Sequence, residues 1–198
     1  MTRTGSNFMK RIAVFASGSG TNAENIIRHF QKSEVAVVVR VLTNNKDAKV
    51  LQRTKNLNIN TFVFDRKDFV EEDTVFQLLK GEADFIVLAG FLWKVPPKII
   101  EAFPQKIINI HPALLPKYGG KGMYGMHVHE AVKENNEKET GITIHYVNEQ
   151  YDQGAVIFQK SVAVADVDTA AMIAAKVHEL EHAYFPKVIE ELLLKHEQ

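Results

Sequence analysis

The chain has 198 residues, 45% of them hydrophobic and 24% charged, and its 24 basic side chains balance 24 acidic ones. This length suits one domain with a substantial core, and the net charge of zero gives no support to binding of nucleic acid or of an anionic membrane, which favour a basic excess. The absence of cysteine excludes disulfides, thiolate nucleophiles and cysteine-based zinc sites.

The sequence predicts neither a membrane span nor a secretory signal. No apolar run approaches the roughly 18–20 residues that cross a bilayer. The run from Ile12 to Ala16 is shorter than the roughly 7–15 apolar residues of a signal-peptide core. We therefore expect a cytoplasmic protein in which residues 10–198 form a single domain and residues 1–9 a disordered lead-in.

The first strand and the turn after it form a candidate anion site. Residues 11–16 are predicted to be a strand, residues 17–22 read Ser-Gly-Ser-Gly-Thr-Asn, and a helical pattern follows. This arrangement directs backbone N–H groups and the positive end of a helix dipole at an anion. The turn therefore favours a phosphate site for a mononucleotide-like substrate.

The next strand, 35–43, argues against a dinucleotide. It is followed by two asparagines where a carboxylate for the adenine ribose would be needed. A nucleotide cofactor nevertheless stays an alternative, as does a plain tight turn in which Thr21 or Asn22 caps the helix.

The middle of the chain alternates helices and strands. We expect a helix, a strand and a second helix at 46–57, 60–64 and 68–80. The run 83–89 is apolar apart from Asp84 and lies between Gly81 and Gly90, which is typical of a central parallel strand covered on both faces. Pro96 and Pro97 then favour the start of a short helix, where proline is tolerated.

The stretch Ile107–Lys117 reads Ile-Ile-Asn-Ile-His-Pro-Ala-Leu-Leu-Pro-Lys. Its first half alternates like a strand, so Asn109 and His111 leave on the same face. Pro112 ends the strand because it has no N–H to donate to a neighbour. An amide and an imidazole are thus predicted at the carboxyl end of a strand, where open α/β sheets bind ligands. The alternative is a polar strand end followed by a proline turn.

A glycine-rich loop comes next. The segment Lys117–Gly125 holds four glycines in nine residues, which indicates positive φ angles or a close approach of backbone to a ligand. His127 and His129 lie on the helix after it. Because residues spaced i, i+2 face apart on a helix, we expect surface or supporting histidines rather than joint metal ligands.

The last third of the chain predicts two strands and a long helix. Residues 140–147 alternate, so Thr143 and His145 share one face. A turn containing Asp152 leads into the second strand, 155–164. The final helix begins after Asp168-Thr169, and the proline at 186 is expected to break or kink it. Together the elements favour an α/β, Rossmann-like fold: a mostly parallel central sheet, helices on both faces and an antiparallel C-terminal strand pair.

Three polar groups, Asn109, His111 and Asp152, call for one explanation. An asparagine amide can donate to a carbonyl oxygen and to the oxyanion it becomes. A histidine can carry a proton at neutral pH, and a nearby carboxylate would orient it and raise its pKa. This combination suits acyl transfer to an amine without a protein nucleophile, since the sequence has neither cysteine nor a Gly-x-Ser-x-Gly elbow.

These segments resemble the folate-dependent formyltransferases. The resemblance is carried by the turn 17–22, Leu-Ala-Gly-Phe at 88–91, Asn-Ile-His-Pro with Leu-Leu-Pro over 109–116, and Asp-Gln-Gly at 152–154. It implies transfer of a formyl group from 10-formyltetrahydrofolate, as co-substrate and without a metal, to the amine of 5′-phosphoribosylglycinamide in purine synthesis. It also implies small-molecule partners only, with no nucleic acid and no membrane, and a monomer or homodimer.

The resemblance assigns roles to the catalytic residues. Asn109 would bind the formyl oxygen, and protonated His111 would stabilise the tetrahedral oxyanion and assist departure of the folate nitrogen. Asp152 would keep His111 charged and, through water, accept the proton of the amine. Thr143 is implied behind this trio as a ligand of that water, and a plain strand threonine is the alternative.

Binding residues are implied in the same way. Gly20, Thr21 and Asn22 match the phosphate turn, and Glu181 matches an acidic contact to the glycinamide. The folate would lie along two segments, formed by Leu92, Trp93, Lys94 and Val95 and by Asn148, Glu149, Gln150 and Tyr151. Its glutamate tail would contact Arg66. Trp93 departs from the family, in which a basic residue is common there.

Other functions remain open. A methionyl-tRNA formyltransferase would be basic and carry a further C-terminal domain, a formyltetrahydrofolate deformylase would carry an N-terminal regulatory domain, and sugar formyltransferases are larger. A non-catalytic phosphate- or nucleotide-binding module would need the glycine turn alone, and not Asn109, His111 and Asp152 together.

Overall fold

The computed structural model describes residues 9–195, so the predicted lead-in, apart from Met9, lies outside the described residues. They form strands β1 (Lys10–Phe15), β2 (Ala36–Thr43), β3 (Thr61–Val63), β4 (Phe85–Leu88), β5 (Ile107–His111), β6 (Glu139–Tyr146) and β7 (Val156–Ala163). The helices are α1 (Thr21–Phe30), α2 (Val50–Asn56), α3 (Thr74–Glu82), α4 (Pro97–Ala102), α5 (Met126–Glu134) and α6 (Ala170–Lys195), and a π-helix, Lys67–Glu71, precedes α3.

The strands form one sheet in the order β3-β2-β1-β4-β5-β6-β7. Neighbours from β3 to β5 are parallel, whereas β5–β6 and β6–β7 are antiparallel. The predicted fold class is confirmed, and the antiparallel part is larger than predicted because β6 also pairs with β5. The chain runs from β1 to one edge and then returns to β4, so the carboxyl ends of β1 and β4 flank the switch point at which open α/β sheets bind ligands.

Helices cover both faces of the sheet. On one face α1 and α6 bury Val14 and Val87, and on the other α3 and α4 bury Phe15 and Ile86. All four side chains of β4 are buried, as predicted for a central strand. The strand ends at the switch point therefore belong to a sheet that is covered on both faces.

Two predicted helices differ from the structure. The helix predicted from residue 46 begins only at Val50, because Asn45 forms a turn in which its side chain accepts the N–H of Asp47 at 2.9 Å. The helix predicted over 68–80 is divided, since Glu72 is extended (φ −94°, ψ 156°) between the π-helix and α3. Both pieces bury apolar side chains, so the hydrophobic pattern continues across a break in the backbone.

Pro186 is predicted to break or kink the last helix, and the break is wrong, because α6 runs through this proline. Proline lacks the N–H that would bond to the carbonyl of His182, and the side chain of Asn25 donates to that carbonyl instead, at 2.9 Å. At the other end Thr169 caps the helix by accepting the N–H of Met172 at 3.2 Å. Neither α6 nor any other helix within residues 9–195 is long and apolar enough to cross a bilayer.

Candidate active site

A cavity of about 650 Å³ opens at the switch point. Ser17 links the turn after β1 to the segment after β4. The N–H of Ser17 donates to the carbonyl of Gly90 at 3.0 Å, and its hydroxyl accepts the N–H of Leu92 at 3.1 Å. The cavity is lined by the turn after β1, the segment after β4, the end of β5, the glycine-rich loop with α5, the β6–β7 connection and α6. Most of the predicted site residues thus line one cavity.

The turn after β1 requires glycine at its last position. Gly20 precedes α1 with φ 71°, and a Cβ there would lie 2.4 Å from Val50 Cγ2. Among the described residues no side chain caps α1, so the alternative in which Thr21 or Asn22 caps the helix is wrong. The first N–H groups of α1 are left for an acceptor from the cavity.

Arg53 of α2, which the sequence did not single out, holds this turn from behind. Its Nε donates to the carbonyl of Ser19 at 2.8 Å, and its guanidinium pairs with Glu24 of α1. No local pattern marks Arg53, because its contacts depend on how α2 packs against α1. A cation therefore lies next to the predicted phosphate turn.

The fold brings Asn109, His111 and Asp152 together. Antiparallel pairing sets Asn109 opposite His145 and His111 opposite Thr143, so all four side chains share one face of the sheet. Asp152 has a left-handed backbone (φ 54°) in the β6–β7 connection. Its carboxylate lies 3.6 Å from His111 Nδ1 and 3.6 Å from His145 Nε2, and it accepts the N–H of Gly120 at 2.8 Å.

His145 is a residue that the sequence placed on the correct face but did not assign to the site. Its Nδ1 lies 2.8 Å from the carbonyl of Tyr146, which can only accept, so Nδ1 carries the hydrogen. Nε2 is then an acceptor for the amide of Asn109, at 3.1 Å. This contact fixes which way the Asn109 amide points and leaves its second N–H for a ligand.

Burial, rather than charge, dominates the titration of His111. Asp152 and the carbonyl of Tyr118 raise its pKa, in the direction expected for a nearby carboxylate, but desolvation lowers the pKa by more, so the net shift is downward. For Asp152, burial would raise the pKa, but donation from His145 when its imidazole is protonated, the charge of His111 and the N–H of Gly120 together hold it below its usual value. In the free protein Asp152 is thus an anion beside an imidazole that protonates only below the ordinary range.

Thr143 does not lie in the cavity lining. It is fully buried, and its hydroxyl donates to the carbonyl of Ala113 at 2.7 Å while accepting the N–H of Leu115 at 3.0 Å and the amide of Gln159 at 2.9 Å. These partners occupy the hydroxyl, so the expectation that it binds a catalytic water is corrected. Thr143 instead holds the turn that follows β5.

Most of the predicted folate residues line one side of the cavity: Leu92, Trp93, Lys94, Val95, Asn148, Gln150 and Tyr151. Trp93 packs against Phe64, Phe69 and Phe91, with ring centroids 6.0, 6.1 and 6.5 Å away. The indole therefore extends an aromatic cluster next to the cavity. Glu149 and Arg66 are exposed and do not line the cavity.

The wall formed by α5 and α6 carries Glu181, His178 and His129. Glu181 Oε2 accepts from Asn22 Nδ2 at 2.8 Å and lies 3.1 Å from His178 Nδ1, and this contact raises the pKa of His178. Two buried atoms, Asn22 Oδ1 and His129 Nδ1, have no hydrogen-bond partner among the described residues. The side chain of His129 is therefore buried and does not lie on the surface. Within residues 9–195 no group of three potential ligands is arranged to hold a metal ion.

Comparison with known proteins assigns the chain to a family. The formyl transferase family matches residues 10–189. The phosphoribosylglycinamide formyltransferase of Bacillus subtilis is 36% identical over 93% of this chain and 95% of its own length. The chloroplastic phosphoribosylglycinamide formyltransferase of Arabidopsis thaliana is 40% identical over 91% of this chain, which spans 64% of that relative.

Solved structures give the same result. The crystal structure of phosphoribosylglycinamide formyltransferase from Bacillus halodurans superposes with a TM-score of 0.83 at 38% identity, covering 93% of this chain and 95% of that one. The enzyme from Geobacillus kaustophilus, glycinamide ribonucleotide transformylase 1, has a TM-score of 0.85 at 36% identity, covering 94% of this chain and 100% of that one. The chain belongs to the formyl transferase family.

Proposed function

We propose that this protein transfers the formyl group of 10-formyltetrahydrofolate to the amine of 5′-phosphoribosylglycinamide, a step of purine biosynthesis. The observation that carries the proposal is the meeting of Asn109, His111 and Asp152 in the cavity that also holds the turn before α1. The relatives named phosphoribosylglycinamide formyltransferase support the choice of substrate. Location in the cytoplasm and a monomeric or homodimeric state stay predictions.

The two substrates bind on opposite sides of the cavity. The phosphate of the ribotide binds the backbone at Gly20, Thr21 and Asn22, next to the guanidinium of Arg53. Glu181 accepts from the glycinamide portion. The folate lies against Trp93 and along the residues after β4 and β6, which offer apolar surface and backbone groups. Asn22 Oδ1, buried and without a partner among the described residues, suits a donor on the ribotide.

The reaction needs no covalent bond to the protein. The amine lone pair attacks the formyl carbon, and the carbonyl electrons move onto its oxygen, which accepts the free N–H of Asn109. Asp152 takes the ammonium proton through a water molecule. The bond to the folate nitrogen then breaks, and this nitrogen takes the proton of protonated His111, while the carbonyl re-forms. Acid–base help of this type contributes roughly 10²–10⁴-fold in rate.

The position of the mobile proton follows from the contacts of His111. Nε2 lies 2.7 Å from the carbonyl of Tyr118, so it carries a hydrogen in either charge state. The second proton is therefore the one on Nδ1, which faces Asp152. The negative charge on the formyl oxygen favours this protonated form during the reaction.

The test is a turnover assay with 5′-phosphoribosylglycinamide and 10-formyltetrahydrofolate. Formylated ribotide and deformylated folate should appear in equal amounts. Release of formate without the amine would indicate a formylfolate hydrolase, and turnover with a different amine would indicate another formyltransferase. Tight binding of either ligand without turnover would favour a non-catalytic binding module.

A further inference from the structure

His111 depends on a backbone carbonyl in an unusual conformation. Its side chain is 4% exposed, and its Nε2 donates to the carbonyl of Tyr118 at 2.7 Å. Tyr118 has φ 55°, a left-handed conformation that costs free energy for a bulky side chain. Gly119 and Gly120 follow it, and the N–H of Gly120 donates to Asp152 at 2.8 Å, so the backbone is held two residues beyond the carbonyl. A contact of Tyr118 itself is needed to hold this strained residue and its carbonyl.

The side chain of Tyr118 supplies that contact. Its hydroxyl donates to Glu137 Oε1 at 3.0 Å, and its ring packs on the apolar layer beneath α1 and α6. Glu137 lies in the connection between α5 and β6, where its own N–H donates to the carbonyl of Val132 at 3.2 Å. Lys117 also pairs with Glu137, at 2.9 Å. Neither Glu137 nor Tyr118 lines the cavity.

We propose that Glu137 is a positioning residue that acts through Tyr118, holding the carbonyl that orients His111 and selects its tautomer. The inference rests on the proposed function, in which His111 is the acid. With the hydrogen of neutral His111 on Nε2, its Nδ1 lone pair faces the Asp152 carboxylate at 3.6 Å, and a proton on Nδ1 turns this contact into attraction. The carbonyl of Tyr118 therefore favours the charged imidazole over the neutral one.

Other ionisable groups also face His111 and set the background for this effect. They are Asp152 from the β6–β7 connection, His145 from β6, His129 from α5 and Glu181 from α6. None of them contacts Glu137 or the phenol of Tyr118 in the described structure. A change confined to that pair therefore reaches His111 through the backbone of residues 118–120, by the carbonyl of Tyr118 or by the N–H of Gly120 that Asp152 accepts.

The experiment compares four variants in steady-state assays as a function of pH. Glu137→Leu and Tyr118→Phe should each lower kcat roughly fivefold to tenfold, the effect of one well-placed hydrogen bond, with the KM of both substrates unchanged. Because the hydrogen bond to the carbonyl of Tyr118 raises the pKa of His111, loss of this hydrogen bond should move the alkaline limb of kcat/KM to lower pH. Glu137→Gln, which keeps an acceptor for the phenol, should restore both quantities.

Lys117→Met is the matched control, since it removes the ion pair with Glu137 but leaves the Tyr118 contact. It should behave as wild type. The inference would be overturned if Lys117→Met and Glu137→Gln each lost as much kcat as Glu137→Leu. A wild-type pH profile in both Glu137→Leu and Tyr118→Phe would overturn it as well.

A second measurement separates this inference from the proposed function. In protein labelled with ¹⁵N-histidine, long-range proton–nitrogen spectra report the tautomer of His111 without any turnover. Wild-type protein should show the hydrogen on Nε2, and Glu137→Leu should show a mixture. If wild-type protein does not turn over, the proposed function fails, and an unchanged tautomer in Glu137→Leu would still refute the positioning role.

Discussion

Replacing Asp152 with asparagine is the most direct test of the site. The side chain keeps its size and can still accept the N–H of Gly120, which now lies 2.8 Å from Oδ2. It loses the negative charge that lies 3.6 Å from an imidazole nitrogen of both His111 and His145. Asp152→Asn therefore removes an electrostatic interaction while leaving most of the packing in place.

The magnitude follows from the distance. At 3.6 Å and an effective dielectric constant of about 20, a unit charge pair is worth about 5 kcal/mol before screening and relaxation. A charge this close shifts a pKa by about 1–3 units. Desolvation already lowers the pKa of His111, so loss of Asp152 lowers it further, and the protonated fraction at neutral pH falls tenfold per unit. With the lost proton acceptor, kcat should fall about 10²-fold or more.

The assay is kcat and kcat/KM from pH 5 to 9, with thermal unfolding as the check on folding. Activity that needs protonated His111 is lost as pH rises through its pKa, so the alkaline limb of Asp152→Asn must move to lower pH. Asp166→Asn is the control, because Asp166 pairs with Lys138 on the surface, outside the cavity. A folded Asp152→Asn protein within threefold of wild-type kcat would refute the assigned chemistry.

Three further substitutions probe the rest of the site. Gly20→Ala places a side chain on a backbone with φ 71° and pushes it into Val50, so we expect the free energy of unfolding to fall by roughly 1–3 kcal/mol and the KM for the ribotide to rise. Gly81→Ala is the control, because its added Cβ meets open space and should change neither quantity. Asn22→Ala should raise the KM of the ribotide and leave that of the folate; the reverse would show that the two sites are exchanged. Thr143→Val leaves the buried N–H of Leu115 and the buried carbonyl of Ala113 without their partner, so calorimetry should show a loss of about 2–3 kcal/mol, while a fall in kcat without destabilisation would restore the catalytic-water role.

The sequence predicted those parts of the fold that depend on local pattern. The alternation through Asn109 and His111, the proline after them and the unbroken apolar run of β4 each specify a strand and where it ends, and all three strand features agree with the structure. The glycine turn before α1 was likewise readable, because a positive φ at Gly20 is a backbone requirement.

What the sequence could not supply are interactions between distant segments. α6 continues through Pro186, and Asn25, on another helix, donates to the carbonyl that the proline leaves without a partner. The hydroxyl of Thr143 forms hydrogen bonds with backbone groups of the turn after β5. The pKa of His111 falls because of how deeply the whole fold buries it, a quantity that no spacing of residues records.

The register of β6 on β5 is what turns two polar strand positions into a site. β5 has a parallel neighbour on one side and an antiparallel one on the other, and the antiparallel pairing sets His145 directly opposite Asn109. Because side chains alternate with a period of two, a slip of one residue would replace His145 by Ile144 and leave the Asn109 amide without an acceptor to orient it. The apolar residues between the polar ones, Ile108 and Ile144 among them, are buried on the opposite face and penalise such a slip. The packing of that layer therefore fixes the direction of the Asn109 amide, and the precision of the site derives from the core beneath it.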